Sequence, residues 1–219
     1  EAMYFAILLI TVYISGRFEQ RWMIAALMAA VLGSAMYVMG FLGMDMVYRV
    51  IGALALTLLI SWKLKLNYAL GAIVGLLHDV LITLGLLAMM GKEIDLNIIA
   101  ALMTLVGYSL NDTIIVYDRI RENLQNQPED NPAPLADIIN LGRTIMTSAT
   151  TLIAALSLTI LGGGAIHDFA LTMSLGVFIG TFSSVFVSNP ILLLLGDTRQ
   201  YMVARKKVEY ERPGEHGVV

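Results

Sequence analysis

Apolar residues in this chain come in long runs, and the polar residues gather in short connections between them. The runs cover 2–15, 23–43, 47–62, 68–90, 96–117, 144–163 and 168–195. A helix needs about 20 mostly apolar residues to cross the hydrocarbon of a bilayer. Every backbone N–H and C=O must be paired inside such a segment, because no water is there to do it. The pattern predicts an all-α fold, a polytopic transmembrane helix bundle of about seven spans. The first and third runs are short for this task, and the first would reach full length with residues upstream. Four of the five prolines (Pro128, Pro132, Pro134 and Pro213) fall outside the runs, as helix breakers should. Pro190 lies near the end of the last one, where a kink is tolerated.

Charge orients the runs. All but Arg49 and Lys92 of the 14 Lys and Arg fall on one side of the alternating connections. That side is cytoplasmic by the positive-inside rule. The C-terminus is then cytoplasmic and residue 1 enters from outside. The one long connection, "DRIRENLQNQPEDNPAPLADIIN" (118–140), is cytoplasmic too, and its first residues should continue the preceding helix for a turn or two. A weak repeat relates 13–43 to 59–91 at an offset of about 46–48 residues. Each copy is a helix end, a basic turn and a following helix. Duplication and shared membrane constraints both account for it.

Composition agrees and narrows the chemistry. The chain is 58% hydrophobic and 14% charged, against about 25% charged in soluble domains. A net charge of −3 without a basic stripe argues against nucleic acid. The absence of cysteine excludes disulfides, thiolate metal sites and cysteine nucleophiles. The chain lacks the basic start of a signal peptide and reads as a segment of a longer protein.

Three polar clusters interrupt the apolar runs, where charges are costly and usually functional. In "VGYSLNDTIIVYDRIREN" (106–123), Asp112 stands roughly 8 Å inside the cytoplasmic edge at 1.5 Å rise per residue. Thr104, Tyr108, Asn111, Asp112 and Ile115 follow the spacing of one helical face. In "RTIMTSATT" (143–151), Arg143, Thr147, Thr150 and Thr151 share a face at a similar depth, so Arg143 could pair with Asp112 if the helices touch. In "LLHDVLITLG", His78 and Asp79 lie mid-span, and Gly71, Gly75 and Asp79 align at spacing four. The bland readings are a carboxylate reaching the interface, threonines bonding back to their own helix, and a buried carboxyl satisfied by a neighbouring hydroxyl. Adjacent His and Asp point about 100° apart on a helix, so no metal site is expected. Gly176, Gly180, Ser184 and Ser188 form a small-residue ridge for tight packing.

Burial disfavours the charged form of a carboxylate, and a neighbouring guanidinium favours it. An Asp112–Arg143 contact that makes and breaks would therefore take up and release a proton as helices move. The membrane potential supplies about 2.3 kcal/mol per unit charge per 100 mV. Such a machine needs no cofactor and performs no enzymatic step. An intramembrane aspartyl protease using Asp79 and Asp112 would need the two to share a proton. Their estimated depths differ by about 8 Å along the membrane normal, which argues against it. A purely structural scaffold is the remaining reading from another class.

Four motifs together, "LGAIVGLLHDVLITLG", "GYSLNDTIIVYDRIREN", "RTIMTSATTL" and "GGGAIHDFALTMSLGVFIGTFSSVFVSNPILL", resemble the membrane portion of the SecF family over residues 66–196. "RFE" at 17–19 resembles the family's segment after its second helix. The resemblance implies an RND-type bundle that works with SecD beside the SecYEG channel. It would use the proton-motive force to help export preproteins across the bacterial inner membrane. It implies SecD, SecYEG and the translocating preprotein as partners in a lipid setting, with YajC and YidC as further candidates. It implies proton-coupling roles for Asp112 and Arg143 and, more loosely, for Asp79 and His78, with Asn111, Tyr108, Thr147 and Thr151 as supporting polar residues. An RND-type exporter of small molecules or lipids is the alternative. Residues 1–65 would carry the N-terminal helices with a surplus hairpin within about 20–65, and 197–219 a cytoplasmic tail. The family's external soluble domain has no counterpart here.

Overall fold

The computed structural model describes residues 2–125 and 142–194. Most of the long connection and the tail expected over 197–219 lie outside them. The described residues form seven helical rods: α1 (Ala2–Glu19), α2 (Trp22–Phe41), α3 (Met46–Lys63), α4 (Asn67–Met89), α5 (Leu96–Gln125), α6 (Gly142–Leu161) and a last rod in three pieces. That rod runs as α7 (Ala165–Ser183), a π turn (Ser184–Ser188) and α8 (Asn189–Leu194). No strand occurs among the described residues. Five rods are long and apolar enough to cross a membrane: Trp22–Phe41, Met46–Lys63, Asn67–Met89, Leu96–Ile120 and Ile166–Leu192. The apolar part of α6 is the shorter stretch Met146–Leu161. The α5 helix continues past its apolar stretch, as its charged sequence suggested, and carries an Arg119–Glu122 pair at 2.6 Å.

The helix ends follow from local chemistry. Both α2 and α4 stop at a glycine in the left-handed region, Gly43 (φ 73°) and Gly91 (φ 68°). The amides beyond fold back onto the last turn, Met44 to the Met39 carbonyl and Lys92 to that of Leu87. This closure satisfies carbonyls that a helix end otherwise leaves bare. At the start of α5, Asp95 Oδ1 accepts the Ile98 amide at 2.9 Å, an N-cap bond. In the last rod, Pro190 lacks the N–H that an α-helix would offer to the Phe186 carbonyl, and its ring crowds that carbonyl. The π turn directly before it widens the helix at that point.

The α4 rod lies at the centre, packed by α1, α3, α5 and the last rod, while α6 rests chiefly on α7. The α2–α3 hairpin packs on α1 and on the edge of α4. Its outer face exposes Trp22 and Trp62 at one end and Tyr37 and Tyr48 towards the other. Aromatic rings at both ends of apolar helices suit the two interfaces of a bilayer.

The repeat in the sequence has a structural counterpart. Thr11 and Thr57 are both fully buried and each bonds back to its own helix, at the carbonyls of Ile7 and Ala53. Ser15 and Ser61 are buried one turn on. Gln20 and Lys65 then take left-handed backbone at the two turns. The two hairpins are not equivalent in packing, however. Glu19, at the end of α1, accepts the amide of Tyr68 at the start of α4 at 3.0 Å. The Arg21 guanidinium donates to the Leu64 carbonyl at 2.8 Å. The end of α1 thus meets the start of α4 directly, and the α2–α3 hairpin leaves and rejoins the bundle at one point.

Candidate functional site

The centre of α4 presents a groove before it presents a charge. A Cβ on Gly71 would stand 2.5 Å from the Tyr117 hydroxyl and 3.0 Å from the Ser188 carbonyl, and one on Gly75 would collide with the Ser188 hydroxyl. These two glycines let α5 and the last rod approach α4 closely, as the spacing predicted. The next residue on that strip is Asp79, which is fully buried.

Asp79 is held from three sides. The Ser109 hydroxyl of α5 donates to its Oδ2 at 2.6 Å, a short bond of the charge-assisted kind. Nδ1 of half-buried His78 lies 3.1 Å from its Oδ1. From α7, Ser183 stands beside the carboxyl, and a Cβ on Gly180 would come within 3.3 Å of Oδ2. Gly180 therefore serves the site as well as the packing. Gly176, one turn away, seats against Leu105, with which any Cβ would clash.

Asp112 lies one turn beyond Ser109 on the same face of α5 and is 2% exposed. Ser184, the first residue of the π turn, donates to its Oδ2 at 3.1 Å. The same hydroxyl lies 3.0 Å from the Thr181 carbonyl. One hydroxyl proton cannot serve both acceptors fully. Asp79 is close enough to act electrostatically on Asp112. The two carboxyls thus lie near each other inside an apolar bundle, Asp79 bonded to a serine of α5 and Asp112 to one of the last rod. Among the described residues, no group of three or more His, Asp or Glu could hold a metal.

Several expected neighbours are elsewhere. Thr104 and Asn111 are exposed in this chain, because residues 104, 108, 111 and 115 define a face rotated away from Asp112. Half-buried Tyr108 packs with the apolar cluster of Leu102, Leu105 and Val177. The inward face of α5 is Leu105, Ser109, Asp112, Val116 and Tyr117. On α6, Thr147 is exposed and Thr151 half-buried. The hydroxyls of Thr150 and Thr151 bond back to the Thr147 carbonyl, and Ser148 is the buried residue at that level. Arg143 stands in the first turn of α6. Its side chain, and with it the Asp112–Arg143 pairing, lies outside the described residues. Sequence reasoning missed Ser109 and Ser183 and took Ser184 for packing alone. The available signal was that Ser109 precedes Asp112 by three residues.

Comparison with known proteins bears on this arrangement. A family model described as "Protein export membrane protein SecD/SecF, C-terminal" matches residues 42–198. Proteins named protein translocase subunit SecF are similar to the chain. One from Vibrio alginolyticus is 41% identical over 156 residues, covering 70% of this chain and 50% of that protein. One from Thermodesulfovibrio yellowstonii is 45% identical over 158 residues, covering 69% and 52%. The chain thus spans about half the length of the curated relatives it matches. A crystal structure of SecDF in a super-membrane-facing form superposes with a TM-score of 0.56 at 39% identity, covering 73% of this chain and 22% of that one. A second, of SecDF from Thermus thermophilus described as a translocon-associated membrane protein, gives 0.55 at 39% identity, covering 68% and 21%.

Proposed function

The chain belongs to the SecD/SecF C-terminal family of protein-export membrane proteins, and we propose that it is the membrane part of a SecF-type subunit of the Sec translocase. In this reading it sits in the bacterial inner membrane with its C-terminus in the cytoplasm. It works with SecD beside the SecYEG channel and draws on the proton-motive force to assist export of preproteins. YajC and YidC are further candidate partners. The role is mechanical and no covalent step is assigned to it.

One observation carries the reading: Asp79 and Asp112 are buried side by side, each held by a serine of a neighbouring helix. A charge in such a place is costly unless it is paired. Protonation removes the charge and reverses the demand on the serine. Ser184 donates to Asp112 when the acid is ionised. When the acid is protonated, Ser184 accepts from it and can turn its own proton to the Thr181 carbonyl. Loading one proton therefore changes which bonds hold α5 to the last rod. Arg143, at the start of the helix that rests on α7, would supply the opposite charge that favours release. Coupling follows if loading and release face opposite sides of the membrane, where each charge moved gains about 2.3 kcal/mol per 100 mV.

The test is Asp112→Asn in the full-length protein with its partner present. The variant is expected to insert normally and to lose proton-driven stimulation of export. Undiminished stimulation would refute the coupling role.

A further inference from the structure

The interior does not become apolar on passing from the two acids towards the end where α1 stops and α4 begins. Ser188 lies against Gly75 and the Tyr117 hydroxyl against Gly71. These glycines are one and two steps of four residues from Asp79. Each step is about 6 Å along the helix axis. Ser188 and Tyr117 are fully buried; their side chains stand near each other, and neither hydroxyl makes a hydrogen bond of ordinary geometry among the described residues. The same holds for both polar atoms of the Asn189 side chain and for Oε2 of Glu19. Glu19 is 5% exposed, and its other oxygen takes the Tyr68 amide. Buried polar atoms left unpaired are costly. Ser188 and Tyr117 follow the strip that begins at Asp79, and Glu19 stands at the start of the same helix.

From this alignment, and resting on the proton-coupling reading above, we propose that Ser188, Tyr117 and Glu19 form a proton wire. It joins the Asp79–Asp112 pocket to water at the end of the bundle where α1 meets α4. The transfer balances at every step. Each hydroxyl or bridging water accepts a proton on oxygen and passes its own proton onward. Glu19, just inside that end, takes a proton passed in from outside, and Asp112 receives one at the far end. Release runs the same steps in reverse. The rings of Phe18, Tyr68 and Tyr117 pack on one another beside the lower part of this line, with centroids 5.3 to 5.7 Å apart. Such a cluster leaves no room for hydrated ions, while the Tyr117 hydroxyl against Gly71 remains the relay atom.

The experiment measures proton flux into vesicles that carry the full-length protein with its partner, under an imposed pH gradient. Tyr117→Phe and Ser188→Ala each remove one hydroxyl and are expected to slow the flux about tenfold, the effect of losing one hydrogen bond of ordinary strength. Combining them should add little, because the two stand in series. Ser188→Thr keeps a hydroxyl and should conduct. Glu19→Gln keeps an acceptor for the Tyr68 amide but cannot ionise, and it should slow the flux even if Tyr117→Phe fails to fold. Parent-like flux in Ser188→Ala and Glu19→Gln, with Asp112→Asn inactive, would overturn the wire and leave the coupling reading standing. Parent-like flux in Asp112→Asn would bring down both.

Discussion

Asp95 and the acids of α4 and α5 show what the same side chain does in two settings. Exposed Asp95 accepts the Ile98 amide and the Asn97 side chain, and those bonds, the Ile98 amide first, hold its pKa below the usual carboxylate range. A depressed folded pKa contributes stability that is present above the unfolded value of about 4 and lost as pH falls through the folded one. Asp95→Ala should therefore lower the melting temperature slightly at neutral pH and remove a small part of the acid sensitivity below that value. Buried Asp79 and Asp112 depend instead on hydroxyls from other helices. Arg143→Lys keeps a charge but loses a forked donor. It should retain partial export activity if charge alone matters, and activity equal to wild type would argue against a two-pronged contact. Asp79 and Asp112 were legible in the sequence because a carboxyl inside an apolar run stands out. Ser109 and Ser183 were not, because a serine in a helix ordinarily bonds to its own backbone. Only the neighbouring helix shows that Ser109 donates across to Asp79.

Helices were the most legible level. Seven apolar runs became seven rods, since length and hydropathy alone decide whether a segment can satisfy its backbone in lipid. The glycine strip on α4 and the ridge on α7 were also readable, because spacing four places small residues on one face. Their closeness to chemistry was not, since Gly180 over Asp79 requires both helices at once. Thr104 and Asn111 fall at helical spacing to each other but about 80–100° from Asp112, so they are exposed in this chain where Asp112 is buried. Substituting Gly71 with leucine should force the last rod away from α4, given the Tyr117 hydroxyl and Ser188 carbonyl in its path. A cost of about 1–3 kcal/mol is expected for such overpacking, readable as a lower unfolding temperature in detergent. The same change at Gly33, where a side chain meets open space, should cost far less.

For the whole molecule the informative feature is where α1 sits. The family match begins at residue 42 and so takes in α3, yet α1 carries the Glu19 contact with α4. Excision of 22–63, with residues 20–21 joined to 64–66, should leave α1 docked on α4 and proton-driven export largely intact. The measurement is export activity of the shortened protein. Loss of activity despite normal insertion would show that α2 and α3 take part. Since α2 and α3 come as a pair, every later helix runs across the bilayer in the direction it would have without them. A bundle joined in this way can widen into the lipid two helices at a time while its central partners keep their positions.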